Sequence, residues 1–363
     1  MMKKFFKQRK NITLIVLLLL CALLSLFSRS ETLVENWYAT GIYPFIGKTM
    51  RSIFGKIPFS IGDVFYTIFF AFVLFRIVRF FIKLFKRKID KTYLAKSIYT
   101  LLFTVLTVYF LFYALWGMNY SRQGIAHQLQ LNISQKYSTK QLDSLVKNLV
   151  VKTNAGRILL GKKAIYPNNQ TMFNEALQAY ANIEKTYPFL HYEAKSVKTS
   201  VYNMLNSYLG TAGYYNPFTG EAQVNTALPK FGLPYTTCHE MAHQLGYATE
   251  DEANFVGYLA ASNSFDPLFK YSAYLNLYEY ANWELWQRDS ALAKNNYKML
   301  DTLVKADLYE QRNYIKAHEN PVEKLTTKIY SQYLKANHQP QGINTYNLVT
   351  AWLIAYERKY KAL

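Results

Sequence analysis

Between Lys96 and Arg122 the chain carries no charged residue, and Leu101–Trp116 is almost wholly apolar. No other feature constrains the fold as strongly, because a helix satisfies its backbone polar groups within such a run and can do so in hydrocarbon. Two more runs precede it. Ile12–Phe27 is apolar inside an uncharged stretch that starts at Asn11, and a second run, clean from Val64 to Phe75, begins near Ile61. The first exits through Phe27-Ser-Arg-Ser30 with no small-residue cleavage pattern, so it reads as an uncleaved anchor rather than a signal peptide. Arg76 and Arg79 interrupt the far end of the other, where long basic side chains snorkel to the interface. Three transmembrane helices are expected, at about 12–28, 61–81 and 97–117. They would form a membrane domain of residues 1–120 ahead of a second domain, 121–363. Trp116 and Tyr120 are expected at a membrane interface. Residues 28–60, with Pro44, Gly47, Gly55 and Pro58, are expected as a loop.

Charge is informative through its placement. The formal net charge is +19, of which residues 1–117 supply +13, from 17 Lys/Arg against 4 Asp/Glu. The excess therefore surrounds the apolar runs, as in a membrane protein. No aromatic-plus-basic motif points to nucleic acid, and no such partner is expected. Residues 1–10 and 83–96 are densely basic, whereas 28–60 holds only Arg29, Lys48, Arg51 and Lys56. Positive-inside then puts the N-terminus in the cytoplasm and, with three spans, residues after Tyr120 outside. The partners this implies are the lipid bilayer and a substrate of the cell envelope. Two cysteines, Cys21 and Cys238, make a poor disulfide pair, so packing, with or without metal, must hold the fold.

The second half reads as mostly helical with a small sheet. Ser138 caps a helix, and others are expected from Thr171 to about Tyr187, then at 270–290, 293–316, 321–336 and 344–360. Tyr214–Thr219 is turn-like, and Glu221–Thr226 is a candidate short strand. The chemistry lies in Thr237–Phe255. His239, Glu240 and His243 spell His-Glu-x-x-His, and residues four apart share a helix face, so two imidazoles converge on one point. Glu240 is placed to act on a water there. Gly246 is a suitable helix stop. A hydrolytic zinc site needs a third protein ligand and an open position. Thr249 stands where a His three residues beyond Gly246 would have served, so the candidates are the acids that follow. Glu250 shares a face with Ala253, Asn254, Gly257 and Ala261, small residues that permit close helix approach. Glu252 shares one with Phe255, Val256 and Leu259, and could instead complete a capping box with Thr249. Both remain open as third ligand, and Asn254 is the candidate to accept a hydrogen bond from a ligating imidazole.

His239-Glu-x-x-His243 followed by Glu250-Asp-Glu-Ala-Asn254 resembles the gluzincins, zinc metallopeptidases with the first motif on one helix and a Glu on the next. The whole chain is also similar to a family of bacterial multi-pass membrane proteins with a zincin-like C-terminal half. The likeness implies a mainly α chain: three membrane helices, then a mostly helical α+β zincin-like domain. It implies Zn2+ on His239, His243 and Glu250 (or Glu252), with Glu240 as general base for peptide hydrolysis by a zinc-activated water. By the same analogy, a strand ahead of the metal helix offers its edge to an extended peptide. The alternative is a non-catalytic membrane sensor or scaffold with a structural or degenerate zinc site. A hydrolase acting on a non-peptide amide is a third.

Overall fold

The computed structural model describes residues 2–133, 136–342 and 348–361, with side chains from residue 11 onward. The chain is mainly helical with one small sheet. Helix α1 (Met2–Phe27) is followed, after a bend of 100°, by α2 (Glu31–Phe54). Then come α3 (Ile61–Phe85) and α4 (Lys91–Leu115). Among the described residues, α4 is long and apolar enough to cross a membrane by itself, and the bent pair Asn11–Phe27 with Glu31–Phe54 makes at most a second. The count is one or two, not the three expected. The expected middle span, within α3, carries Asp63, Arg76, Arg79 and Lys83.

Residues 28–60 are not a loop. Val34–Ile42 winds as a π-helix and Tyr43–Phe54 as an α-helix. Pro44 sits in the first turn of the latter, where its missing N–H breaks no bond, so the Pro/Gly punctuation misleads there. Nor do Trp116 and Tyr120 lie at an exposed interface. Both are buried, in a small cluster with Val34, Tyr38, Tyr43, Met118 and Ala248 that joins the N-terminal helices to the rest of the chain.

The second half begins with α5 (Thr139–Leu159), opened by a capping box between Ser138 and Gln141. Helix α6 (Asn169–Ile183) starts at an Asn168 cap and stops earlier than its expected end near Tyr187. Three strands follow, β1 (Val197–Thr199), β2 (Gly213–Asn216) and β3 (Glu221–Val224), with α7 (Asn203–Tyr208) between the first two. Their order is β1-β3-β2, parallel for β1 with β3 and antiparallel for β2 with β3. The candidate strand at Glu221–Thr226 therefore lies in the centre of the sheet and offers no free edge. Tyr214–Asn216, expected as turn, belongs to the outer strand β2.

Helices α8 (Leu233–Gln244), α9 (Glu250–Ser262) and α10 (Pro267–Arg288) form the middle of the core with α5. The helix expected over 293–316 is two, α11 (Ser290–Lys298) and α12 (Thr302–His318). The break falls where Asp301 accepts a hydrogen bond from Leu303 N at 2.8 Å and starts a new helix. Helix α13 (Pro321–Ala336) falls where expected, and α14 (Val349–Tyr360) closes the chain; residues 344–347 of the last expected helix lie outside the described residues.

Candidate metal centre

Helix α8 carries the His-Glu-x-x-His motif, and its two ends are fixed by different means. Pro234 occupies its first turn, and Gly246 follows its last with φ +86°, the left-handed stop expected of it. Its final carbonyls are satisfied from the N-terminal third of the chain. Tyr43 Oη donates to Gln244 O at 2.9 Å, Arg51 Nη1 to the same oxygen at 2.8 Å, and Trp116 Nε1 to His243 O at 2.9 Å. A buried guanidinium at a helix C-terminus also meets the negative end of the helix dipole.

Within α8 the rings of His239 and His243 lie 4.8 Å apart. Glu250 Oε2, from the first turn of α9, sits 3.3 Å from His239 Nε2 and 3.6 Å from His243 Nε2. The three potential ligand atoms all lie within 4.8 Å of one another, and all three residues are buried. This group could hold a metal ion. Glu250 Oε2 makes no hydrogen bond, although buried carboxylate oxygens are normally satisfied. The other oxygen, Oε1, accepts from Tyr330 Oη on α13.

The helices meet closely because their contact is lined by small residues. A Cβ at Gly257 would lie 3.0 Å from both the N and the Cα of His239. That proximity brings Glu250 to the imidazoles. Glu252 is turned the other way: its Oε1 accepts from Ile125 N at 2.9 Å and its Oε2 from Thr249 Oγ1 at 3.3 Å. Thr249 is the N-cap residue of α9 but makes no side-chain cap bond, so the capping box expected between Thr249 and Glu252 does not form. Asp251 accepts from Trp352 Nε1 at 3.2 Å. Asn254 Oδ1 accepts from Tyr235 Oη at 3.1 Å, and the same side chain, as an acceptor, works to raise the pKa of His239. His243 Nδ1 lies 2.8 Å from Tyr247 O. A carbonyl there assigns a proton to Nδ1 and turns Nε2 toward Glu250, the nitrogen that a metal ion would take on losing its proton.

The electrostatics follow from burial and from the pair. Burial lowers the pKa of His239 more than Glu250 raises it. For His243 burial also lowers it, but the nearby Glu250 carboxylate outweighs that and carries it to about 8. Burial would raise Glu250, yet the two imidazoles hold its carboxyl well below the usual range. Glu240 has no such partner, and burial pushes it to about 8, a value that a nearby cation lowers. Its Oε2 makes no hydrogen bond, and its Oε1 lies against β2, 2.5 Å from where a Cβ on Gly213 would be. Glycine leaves room for the carboxylate there. Cys238 is buried with its thiol pushed up by burial, the profile of a core residue.

A cavity of about 290 Å³ reaches Ala212, beside Gly213, and Thr236, one turn ahead of Glu240. Its lining also includes Tyr314, His318 and Glu323.

Sequence reasoning missed Tyr330, Gly213 and Trp116. Tyr330 lies 80 residues from Glu250, inside a helix whose other tyrosines look like packing. Gly213 could have been suspected only as a glycine opening an aromatic strand. The family described as protein of unknown function (DUF3810) matches residues 38–354, most of the chain. No curated protein and no solved structure matches it.

Proposed function

We propose a function from the site itself, because the chain belongs to the DUF3810 family, to which no function is assigned. It acts as a membrane-anchored zinc metallopeptidase. The observation that carries this is the convergence of His239 Nε2, His243 Nε2 and Glu250 Oε2, with the Glu240 carboxylate on the same helix turn. Zinc bonded at about 2.0–2.1 Å in a tetrahedron sets its ligands about 3.3–3.4 Å apart. The two edges through Glu250 Oε2, 3.3 and 3.6 Å, fit that figure. Two imidazoles and a carboxylate also suit zinc among the common divalent metals. Three protein ligands leave a coordination position open, the pattern of a catalytic rather than a structural site.

Zinc held by His239, His243 and Glu250 would supply a Lewis acid that polarises a scissile carbonyl and acidifies a water. Glu240, whose Oε2 makes no hydrogen bond, would take the proton of the attacking water and return it to the leaving amine, one carboxylate serving as base and acid in turn. The Tyr247 carbonyl, 2.8 Å from His243 Nδ1, orients that ring, whereas His239 Nδ1 makes no hydrogen bond. Tyr330 holds Glu250 by the oxygen that does not face the imidazoles. Because β2 pairs on one side only, an extended peptide could add along its free edge, passing over Gly213 beside Glu240.

The basic segments 1–10 and 83–96 favour the cytoplasm and thereby an extracytoplasmic domain, an arrangement that requires α3 to cross beside α1 and α4 in spite of Asp63, Arg76, Arg79 and Lys83. In support, α1 and α4 end at the domain and α3 begins there, which leaves both basic segments at the far ends of these helices. A reporter fused to the C-terminus should be active outside the cytoplasm; activity inside would overturn the placement. The chemistry is tested by loading the purified chain with zinc and comparing it with Glu240→Gln. Both should hold one zinc per chain and only the parent should cleave peptides. A Glu240→Gln chain that cleaves as well as the parent would remove Glu240 from the mechanism. A zinc-loaded parent that cleaves nothing would favour the sensor or scaffold.

A further inference from the structure

Two surface elements, α13 and α7, are apolar where a water-soluble domain would be polar. On α13, Val322, Leu325 and Ile329 are 55%, 58% and 61% exposed. Spaced three and four apart, they form one stripe, which Tyr333 continues. Lys324, Lys328 and Lys335 lie on another side of the same helix. On and just ahead of α7, Val201, Met204, Leu205 and Tyr208 are likewise exposed. Patches of this size on a soluble surface mark an interaction site.

Both stripes are tied to the apolar helices. At the end of α13, the Tyr333 ring lies 6.4 Å from Phe112 of α4, and Tyr113 Oη donates to Asn337 Oδ1 at 3.3 Å. At its start, Asn320 Nδ2 donates to Tyr208 O at 2.6 Å, joining α13 to α7. The turn before α7 in its own right touches α3: Tyr202 Oη donates to Asp63 O at 3.1 Å and meets the hydroxyl of Thr67. Beyond that point α3 exposes Ile68, Phe70 and Phe72. The apolar surface is therefore continuous from α3 and α4 onto α7 and α13. Both elements reach the site: Ser207 of α7 and Glu323 of α13 line the cavity that extends to Ala212 and Thr236, and Tyr330 of α13 is bonded to Glu250.

We propose that α7 and α13 form an apolar rim resting on the lipid bilayer, so that the metal site opens at the membrane surface and takes a membrane-held polypeptide as substrate. The proposal rests on the membrane-anchored peptidase reading above. Apolar residues on one face and lysines beside them are what an interfacial helix needs to meet acyl chains and anionic headgroups together. A soluble peptide would reach the cleft from water alone, and nothing in that route calls for a greasy rim.

The test uses the full chain in vesicles of phosphatidylethanolamine and phosphatidylglycerol. Single spin labels go on Met204→Cys, Leu325→Cys and Ile329→Cys, with Lys324→Cys as the water-facing reference; native Cys21 and Cys238 are buried. Collisions with oxygen should exceed those with a water-soluble nickel chelate several-fold at the first three positions, and the ratio should reverse at Lys324. Rim positions as open to nickel as the reference would overturn the proposal. So would positions closed to both reagents, which would mean a protein partner on that face. A Leu325→Glu/Ile329→Glu chain should then cleave a vesicle-anchored peptide several-fold more slowly while cleaving the same peptide free in solution at the parental rate. Equal rates on the anchored peptide would remove the substrate assignment. The labels report contact without zinc or turnover, so a failure of the peptidase reading is distinguishable from a failure of the rim.

Discussion

Two of the chain's buried carboxylate clusters are treated in opposite ways. At the start of α3, Glu221 accepts from Ile61 N, Gly62 N and Thr219 Oγ1 and lies 3.1 Å from Lys198 Nζ. Beside it, Asp63 accepts from Val201 N, Ser200 Oγ and Tyr214 Oη. Every oxygen there is engaged, which is the condition under which buried charge is tolerable. At the metal centre, Glu240 Oε2 and Glu250 Oε2 make no hydrogen bond at all. The first pair anchors a helix to the sheet and asks nothing further. The second keeps one oxygen of each carboxylate free of hydrogen bonds, and that difference separates a structural cluster from a reactive one.

If the contrast is sound, the largest effects belong to the reactive cluster and leave the fold intact. Glu240→Gln should lower peptide hydrolysis by about 10²–10⁴-fold with unfolding and zinc content unchanged. Glu250→Ala should lose zinc as well as activity, whereas Glu252→Ala should keep zinc. Zinc retained by the first and lost by the second, measured on the folded chains, would reverse the assignment of the third ligand. The structural cluster should behave the other way. Glu221→Gln leaves Lys198 buried without its partner and should cost about 3–5 kcal/mol of stability, read from denaturant unfolding, while zinc per folded chain stays at one. A smaller change separates support from ligation. Tyr330→Phe removes the bond to Glu250 Oε1 and should weaken zinc about 10–100-fold, with the unfolding midpoint of the zinc-free chain unmoved. An unchanged zinc affinity would make Tyr330 a packing residue.

What was legible in the sequence was local. His239, Glu240 and His243 are brought together by helix periodicity alone, and Gly246 ends that helix by its own backbone freedom. The choice between Glu250 and Glu252 is not periodic. It depends on which face of α9 meets α8, and the small residues Ala253, Gly257 and Ala261 carried that information only as a preference for close approach. Trp116 misled because an aromatic after an apolar run has the same signature whether it meets headgroups or, as here, the carbonyl of His243. Pro44 misled because a proline in a first helical turn looks like a proline in a loop. Tyr330 could not be read at all, since nothing within α13 encodes a partner 80 residues earlier. Arg76 and Arg79 could be read either as snorkelling or as a break in the span, and composition alone weighs the two poorly.

The smallest effect tests the acid that was set aside. Glu252 is buried with Ile125 N and Thr249 Oγ1 as its donors, and burial, offset in part by Arg122, raises its pKa to about 7. A carboxyl whose folded pKa lies above its ordinary value binds its proton more tightly folded than unfolded. Its contribution is therefore fully present below the ordinary carboxyl range and is lost as pH climbs from there through about 7. Glu252→Gln keeps an acceptor oxygen for Ile125 N and removes the ionisation. The variant should match the parent in stability near pH 4 and exceed it near pH 8, by up to about 3 kcal/mol. Glu250 has the opposite shift and owes it to the two imidazoles, so no glutamine there should reproduce the pattern. A Glu252→Gln difference that is flat across this range would mean that the carboxyl is held ionised, and would make Glu252 a candidate ligand again.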